Sequence, residues 1–452
     1  QVIGTQSPFE VLTLAHEPVT LSRPLVFGPA ASATADFASR WEQQLRARER
    51  AFAGVSAPEA PFAMKLRARA PELGDRSDFK VFDKNNRFVT VTAEVKAISQ
   101  RAIIYQDLEA PPAGFTTAQF QQLGSSFDSP SYEVDVSVFG EPTDIDANGK
   151  VVILLTPVVN ALTPRGAGGY VAGFFFGCDL HTAAVCSGTN SGEIFYMFVP
   201  DPNGVHSDQR SPQLVMNASL PVLAHEFQHM ISFGARRSLD ALWLSEGLAH
   251  HAEDLVADEY RRRGDNNNAA LFASQNYARA TLFLRDSARI GLLSEELPGT
   301  LEIRGAAWLM VKYLAGQYGG NTLLRTLARS ATSGPQNVTA AIGQPWPTVL
   351  SDWAVALWAD DAPELAGVQL NARYTFSNIN LRTALGPPYP LAARRMALFT
   401  NLYARTIPAS SQRFLLLDAA GAVGPINMIV SGELGGPFAT AAAAQLTLLR
   451  VR

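Results

Sequence analysis

This sequence has little positive charge and no long apolar run, and both absences exclude a class of function. A formal net charge of −4, with 17% charged residues, leaves no basic stripe that could neutralise a phosphate backbone. Nucleic acid is therefore excluded as an expected partner. No apolar run approaches the roughly 20 residues of a membrane-spanning helix. Because the chain opens at Gln1 without an initiator Met or a signal-like region, we expect a processed or truncated start.

Cysteine is also scarce, with only Cys178 and Cys186 in 452 residues. They lie close together in a loop rich in Gly, Ser and Thr, where a short disulfide would fasten a flexible segment. We expect that disulfide; the alternative is two free thiols in a reducing compartment. Their spacing is too long for a zinc knuckle. A local bridge suits an exported protein, so we expect a secreted, cell-surface or periplasmic chain.

The length of the chain indicates more than one domain. We expect a mixed, β-rich region over residues 1–110, a central domain over 111–365 and a β domain over 366–452. Short β runs separated by Gly and Pro mark the outer regions, for example residues 9–14 and 445–452.

Hydrophobic periodicity predicts helices and strands in the central part. Residues 193–199 form a predicted strand, and residues 117–126 a short capped helix. Two longer helices are predicted over residues 212–234 and 240–262. Further helices are predicted over 304–318, 322–330 and 348–359. This mixture indicates an α+β fold.

One segment resembles the start of a calcium loop. Asp144, Asp146, Asn148 and Gly149 have the spacing Asp-x-Asp-x-Asn-Gly. The twelfth position of such a loop requires a bidentate Glu, and here it is Leu155. We therefore favour a tight Asx-type turn that leads into a strand, and the sequence gives calcium no further support.

The clearest chemical signal is a Glu between two histidines. His225 and His229 stand four residues apart on a predicted helix, so both imidazoles project from one face and can chelate one ion. Glu226 can then reach a water in a further ligand position. Neutral imidazole and carboxylate suit zinc, and a catalytic zinc site keeps one position open. The pattern predicts one catalytic Zn²⁺ ion.

A third ligand is predicted from spacing. Sixteen residues separate His229 from Glu246, which lies early in an amphipathic helix after Trp243-Leu-Ser. A helix, a turn and a returning helix can bridge that distance. Four of the seven histidines lie between His225 and His251. The alternative is a set of solvated histidines, with Glu246 stabilised only by its position near a helix N-terminus. That alternative would have to explain both the His225/His229 spacing and the segment around Glu246.

Two segments together resemble the gluzincin metallopeptidases, and most closely the hyicolysin family of secreted bacterial neutral proteases. They are His225-Glu-Phe-Gln-His-Met-Ile-Ser-Phe233 and Trp243-Leu-Ser-Glu-Gly-Leu-Ala-His-His-Ala-Glu-Asp254. The likeness extends from about residue 115 to about residue 361. It implies a zincin-like, thermolysin-like catalytic domain, in which His225, His229 and Glu246 bind zinc and Glu226 is the general base.

The resemblance also suggests roles for two neighbouring features. His250 occupies a position where thermolysin-like enzymes have an acidic residue hydrogen-bonded to a zinc-bound His. We predict that it supports the centre; the alternative is a partly exposed helix residue. The strand over 193–199 stands where gluzincins place an edge strand that pairs with substrate, and its alternative is an ordinary buried strand.

The donor that would stabilise the oxyanion is not evident in the sequence. In the related aminopeptidase N family it is a Tyr three residues before a Gly, and the corresponding stretch here is Glu302-Ile-Arg-Gly305. Arg304 and Tyr260 are the predicted substitutes. Tyr277, Tyr313 and His206 are further alternatives.

We expect an endopeptidase that cleaves internal bonds of protein or peptide substrates, with its oligomeric state left open. Two other functions fit the sequence less well. An inactive zinc-containing surface binding or adhesion protein would not require both the zinc ligands and the general base Glu226. An aminopeptidase would need the Gly-Ala-Met-Glu-Asn element that grips a free amine, and that element is absent.

Overall fold

A computed structural model of the chain describes two compact units. It covers residues 37–50, 70–167, 169–236, 240–293, 299–397, 408–418, 430–431, 437–438 and 444–449. The described residues of the first unit lie within Ala35–Leu284 and Glu295–Gly343, and those of the second within Arg285–Ser294 and Gln344–Arg452. Helices and strands are mixed, as expected of an α+β chain. No helix among these residues is long and apolar enough to cross a bilayer.

The first unit contains a six-stranded mixed sheet in the order β1-β2-β3-β4-β6-β5. Its strands are β1 (Arg76–Phe82), β2 (Phe88–Ile98), β3 (Ala102–Asp107), β4 (Val151–Leu155), β5 (Gly173–Phe175) and β6 (Ile194–Met197). Strands β3, β4 and β6 are parallel, and the outer pairs are antiparallel. The sheet runs across the boundary suggested at residue 110, because β3 pairs with β4. Periodicity within a strand does not show which strands become neighbours.

In the part of the chain that the structure describes, the first unit also contains ten α-helices. They are α1 (Phe37–Glu49), α2 (Thr117–Ser126), α3 (Glu133–Phe139), α4 (Pro157–Leu162), α5 (Pro212–Arg236), α6 (Leu242–Arg262), α7 (Asn266–Arg285), α8 (Leu301–Tyr318), α9 (Gly320–Arg329) and α10 (Gly334–Ile342). The predicted helices that correspond to α2, α5, α6, α8 and α9 are confirmed. Helix α7 was not predicted, because its Asn-rich start is typical of a turn; Asp265 caps it by accepting from Asn268 N at 3.0 Å.

The second unit is described more sparsely. It contains α11 (Trp346–Ala359), α12 (Leu381–Leu385) and the parallel pair β7 (Arg394–Ala397) and β8 (Leu415–Asp418). Helix α11 was predicted. The strand predicted over 445–452 is wrong for residues 445–449, which are mostly exposed and have no partner strand among the described residues. The run over 9–14 lies outside the described residues.

Helix α5 is oriented by an aromatic anchor. Phe227 is completely buried and stacks 5.0 Å from Tyr132, with Phe127 edge-on at 5.2 Å. Successive residues of an α-helix are turned by about 100°, so Phe227 lies nearly opposite both His225 and His229. Packing Phe227 into the core therefore turns the two histidines towards α6.

Candidate metal centre

Three side chains from α5 and α6 converge at one point. His225 Nε2 lies 3.1 Å from His229 Nε2. The Glu246 carboxylate oxygens lie 3.6 Å from His225 Nε2 and 3.2 Å from His229 Nε2. All three residues are buried. The structure thus brings the predicted ligand set together.

This donor set can be compared with the geometry of zinc. Bonds of about 2.0–2.2 Å place neighbouring tetrahedral donors about 3.3–3.6 Å apart. The observed separations of 3.1, 3.2 and 3.6 Å are close to that range. The Nδ1 atom of His225 lies 2.7 Å from Glu253 Oε1, and the Nδ1 atom of His229 lies 3.2 Å from Ser245 Oγ. Because each Nδ1 can carry its ring proton, both Nε2 atoms are left as ligands, and the set fits a zinc ion.

Glu253 supports the centre from the next turns of α6. Its Oε1 lies 2.7 Å from His225 Nδ1 and 2.9 Å from His250 Nδ1. Arg279 of α7 approaches its other oxygen at 3.7 Å. A carboxylate on Nδ1 fixes the imidazole and strengthens Nε2 as a ligand. Glu253 therefore holds the His225 ring, and His250, the residue predicted to support the centre, shares this carboxylate and packs 4.6 Å from the His225 ring.

The surroundings favour the metal-binding protonation state at His229 and Glu246 but not at His225. Burial, with the positive charge of Arg46, lowers the pKa of His229 to about 3. Burial alone would raise the pKa of Glu246, but the contact with His229 and the charges of His229 and His225 hold it well below its usual range. At His225 the balance is reversed: burial would lower the pKa, but the Glu253 hydrogen bond raises it, which favours the protonated ring. A neutral imidazole beside an ionised carboxylate is the state in which metal ligands bind.

Glu226 is held between β5 and α1. Its Oε2 accepts from Phe175 N at 2.9 Å and lies 3.6 Å from Arg46 Nη2. Burial raises the pKa of Glu226, against the opposing charges of His225 and Arg46. The arrangement places a proton-accepting carboxylate one residue from the first predicted ligand.

Arg304 comes to the centre, as the sequence suggested. Its Nη1 lies 3.3 Å from Glu246 Oε2, and its other amino group pairs with Glu42 of α1. Its Nε donates to the carbonyl of Gly299 at 3.1 Å. Arg304 therefore contacts a ligand carboxylate, and its role towards an oxyanion stays a prediction.

Tyr260 does not reach the centre, so the prediction that it donates a hydrogen bond to the oxyanion is wrong. It follows Glu246 by 14 residues on the same helix, a rise of about 21 Å. Its ring packs instead 5.4 Å from Phe272 of α7. The sequence could not show this, because a Tyr near a motif in sequence need not face it.

The edge of the sheet is β5 rather than β6. Strand β6 has β4 on one side and β5 on the other, so the expectation of an edge strand over 193–199 is wrong and the alternative of a buried strand holds. Strand β5 has a single strand partner among the described residues. It also donates Phe175 N to Glu226, which places the open edge beside the metal centre.

The predicted disulfide is confirmed, since Cys178 and Cys186 are joined and both are buried. It closes the loop that follows β5. Gly177 N, next to Cys178, donates to Glu49 Oε1 of α1 at 2.7 Å. The bridge therefore fastens the segment that borders the edge strand.

Sequence reasoning missed three residues of the centre. Glu253 follows Glu246 by seven residues, which is two helical turns, and that spacing could have found it. Arg46 and Arg279 come from α1 and α7, and nothing local in the sequence links them to the motif.

The comparisons with known proteins agree with a metal-dependent protease. No family model matches the chain. The neutral metalloprotease ShpI of Staphylococcus hyicus is 28% identical over 165 residues, which make up 34% of this chain and 36% of that protein. The match thus covers about a third of the relative's length. Over that part, the chain is related to a metalloprotease.

Proposed function

We propose that the chain is a secreted zinc-dependent endopeptidase of the gluzincin type, with a zincin-like catalytic domain that resembles the hyicolysin family. The observation that carries this proposal is the convergence of His225, His229 and Glu246 within 3.6 Å, with Glu226 adjacent. The relationship to a metalloprotease supports it. The disulfide suits an exported protein.

The chemistry follows from the positions of the side chains. His225, His229 and Glu246 would hold one zinc ion, which when bound lowers the pKa of a water and polarises the scissile carbonyl. The Glu226 carboxylate would accept a proton from the attacking water and pass it to the leaving amine. Glu253 keeps the His225 ring in place. Arg304, on the Glu246 side, is the proposed oxyanion donor.

Strand β5 is the proposed substrate platform. Its open edge can pair with the main chain of an extended peptide, which gives affinity without strict choice of side chains. Main-chain pairing extends to both sides of a cleaved bond and needs no free terminus. An endopeptidase with broad specificity is the function that fits such an edge.

A Glu226→Gln variant tests this function. We expect it to bind one zinc ion per chain, as the wild type does, and to lose casein cleavage by at least 100-fold, because the amide cannot accept the proton. Glu109→Gln, an exposed substitution, is the matched control and should cleave as the wild type does. Equal cleavage by the Glu226 variant would contradict the proposal.

A further inference from the structure

Three carboxylates outside the zinc centre meet where the loop before β4 approaches the start of β6. One oxygen from each of Asp144, Asp146 and Glu193 lies within 4.8 Å of the others. Asp144 and Asp146 belong to the Asp-x-Asp-x-Asn-Gly segment, and Glu193 directly precedes β6. Gly192 leaves room for this approach, since a Cβ there would lie 3.2 Å from Asp146 Oδ2.

Glu193 is the member of the cluster that indicates a bound ligand. It is only 2% exposed. Its Oε1 accepts from Thr143 Oγ1 at 2.7 Å and from Ile145 N at 3.2 Å. Its Oε2 is buried and has no hydrogen-bond partner among the residues that the structure describes. A buried, unpaired carboxylate oxygen is costly, so this atom marks a place for a cation.

The described chain offers no cation of its own for the cluster. Lys150, close in sequence, donates instead to the carbonyls of Ser99 and Gln100 at 2.6 and 2.7 Å. None of the three carboxylates pairs with a described Lys, Arg or His. Desolvation and the negative charges of Asp146 and Asp144 raise the pKa of Glu193 to about 7. Desolvation and the charge of Asp144 raise the pKa of Asp146 to about 6. A cation between them would remove the repulsion.

We propose that Asp144, Asp146 and Glu193 bind a calcium ion. All three donors are carboxylate oxygens, which Ca²⁺ prefers, and no nitrogen or sulfur ligand is present in the cluster. Leu155 stands where a linear calcium loop has its Glu, and Glu193 supplies that carboxylate from another part of the chain. The ion would tie the loop before β4 to the start of β6.

Calcium itself is the probe, added to the zinc-loaded full chain. We expect 10 mM Ca²⁺ to raise the thermal midpoint by roughly 2–8 °C, because a ligand that binds only the folded state stabilises it. Asp146→Asn and Glu193→Gln should each lose this shift. Asp146 is exposed, so its variant should fold even if the buried Glu193 variant does not.

Glu141→Gln is the matched control, since Glu141 is an exposed acidic residue nearby that lies outside the cluster. It should keep the full calcium shift. An absent shift in the wild type, or the same shift in the Asp146 variant as in the wild type, would overturn the calcium site. Isothermal titration on the same proteins should show about one site that the Asp146 variant lacks.

A different observation concerns helix α1, which lies over the zinc centre. Arg46 of α1 is 3% exposed and reaches Glu226, while Glu42 pairs with Arg304. At the other side, Trp41 packs 5.8 Å from Phe174 of β5. One helix thus contacts the proposed base, the proposed oxyanion donor and the proposed substrate strand.

The low solvent accessibility of the centre agrees with the position of α1 over it. His225, Glu226, His229 and Glu246 are 6, 7, 3 and 1% exposed. A catalytic zinc site needs an open position for water and substrate. With α1 in place, the base faces Arg46, and Phe174 of β5 packs against Trp41.

We infer that α1 is an autoinhibitory segment that must leave before substrate can bind; this second proposal rests on the proposed function. Two buried side chains on one face, Trp41 and Leu45, anchor it. A neighbouring, exposed face carries Arg40 and Gln44, which have the same four-residue spacing. Removing the anchors should therefore free the cleft without altering any residue of the centre.

The test compares the inner-face variant Trp41→Ser/Leu45→Ser with the outer-face control Arg40→Ser/Gln44→Ser. At equal zinc content, we expect the inner-face variant to cleave a short quenched peptide at least 10-fold faster than the wild type and the control. It should also bind a dipeptide hydroxamate, a zinc-directed probe, at least 10-fold more tightly. Cutting the chain at a protease site inserted after Arg50 offers a second route that leaves α1 unchanged.

The outcomes separate the two proposals. Equal cleavage and equal hydroxamate binding in all three proteins would overturn the inhibitory role and leave the proposed function standing. Tighter hydroxamate binding without any cleavage would support the cover by α1 and contradict the endopeptidase.

Discussion

Glu253 is a single carboxylate on which two histidines of the centre depend. It contacts His225 Nδ1 at 2.7 Å and His250 Nδ1 at 2.9 Å, in a buried site. Replacing it by Gln removes the charge while keeping the shape. We expect Glu253→Gln to weaken zinc binding about 10–100-fold, as measured by competition with a chelator.

Asp258→Asn is a suitable control for that measurement, because Asp258 is an exposed residue of the same helix. It should bind zinc as tightly as the wild type. Unchanged zinc affinity in Glu253→Gln would show that His225 does not need its carboxylate partner.

Asp179 gives a prediction about pH. Burial raises its pKa to about 7, although the Tyr196 hydroxyl donates to it at 2.6 Å. The carboxyl of an unfolded chain has a pKa of about 3.9. Between about pH 4 and pH 7 the folded state therefore holds a proton that the unfolded state has lost. Stability falls as the pH rises through this window, with a limiting slope of about 1.4 kcal/mol per pH unit.

The variant Asp179→Asn imitates the protonated side chain, so we expect it to lose this part of the slope and to be more stable than the wild type at pH 8. Chemical denaturation at a series of pH values measures the effect. The exposed Asp78→Asn should keep the wild-type slope. Parallel curves for Asp179→Asn and the wild type would contradict the assignment.

The residues that sequence could predict lie on one helix, on two consecutive helices or in one short loop. His225 and His229 follow from a four-residue spacing, and the disulfide follows from two nearby cysteines. Arg46 approaches Glu226 from a helix about 180 residues away in the chain, so no local pattern could indicate it. Glu193 was likewise read only as part of a strand, because its acidic neighbours lie in another loop.

At the scale of elements, the ligand helices depend on close packing at glycines. A Cβ on Gly247 of α6 would lie 2.7 Å from Ala307 O of α8. A Cβ on Gly305 of α8 would lie 2.2 Å from Arg279 O of α7. These contacts bring α6, α7 and α8 together and so hold Glu246, Arg279 and Arg304 around one centre.

Gly305→Ala should therefore destabilise the fold by about 1–3 kcal/mol, because backbone atoms of α7 must move to admit the methyl group. Thermal or chemical unfolding measures the loss. Gly114→Ala is the matched control, since a Cβ there would meet its nearest atom at 3.7 Å. Equal stability of the two variants would mean that α7 and α8 do not pack this closely.

Helices were easier to predict than the neighbours of each strand. The helical period of apolar residues is strong in α9, so its existence followed from the sequence. The edge strand β5 has only three residues and lies in a glycine-rich loop, which gives no two-residue alternation to recognise. Its pairing with β6 depends on the folded sheet, and the edge was therefore assigned to the wrong strand.

At the scale of the molecule, zinc should couple the ligand helices to the stability of the whole first unit. An ion that binds only the folded state stabilises it by about 4 kcal/mol at 1,000 times its dissociation constant. We expect removal by a zinc-selective chelator to lower the thermal midpoint by on the order of 10 °C, and added zinc to restore it. A thermal midpoint that changes neither on removal nor on addition of zinc would contradict this coupling.

Among the described residues, two groups that contain histidine could hold the ion. His225, His229 and Glu246 form the proposed zinc centre, and the donors of His225, His250 and Glu253 also lie within 4.8 Å of one another. Because both groups contain His225, a single bound ion occupies one of them. The position of the ion decides between them.

Anomalous diffraction from crystals of the zinc-loaded chain, recorded on both sides of the zinc edge, tests the central claim most directly. The account predicts one strong peak about 2.0–2.2 Å from His225 Nε2, His229 Nε2 and a Glu246 oxygen. A peak between His225, His250 and Glu253, or none near α5, would contradict it.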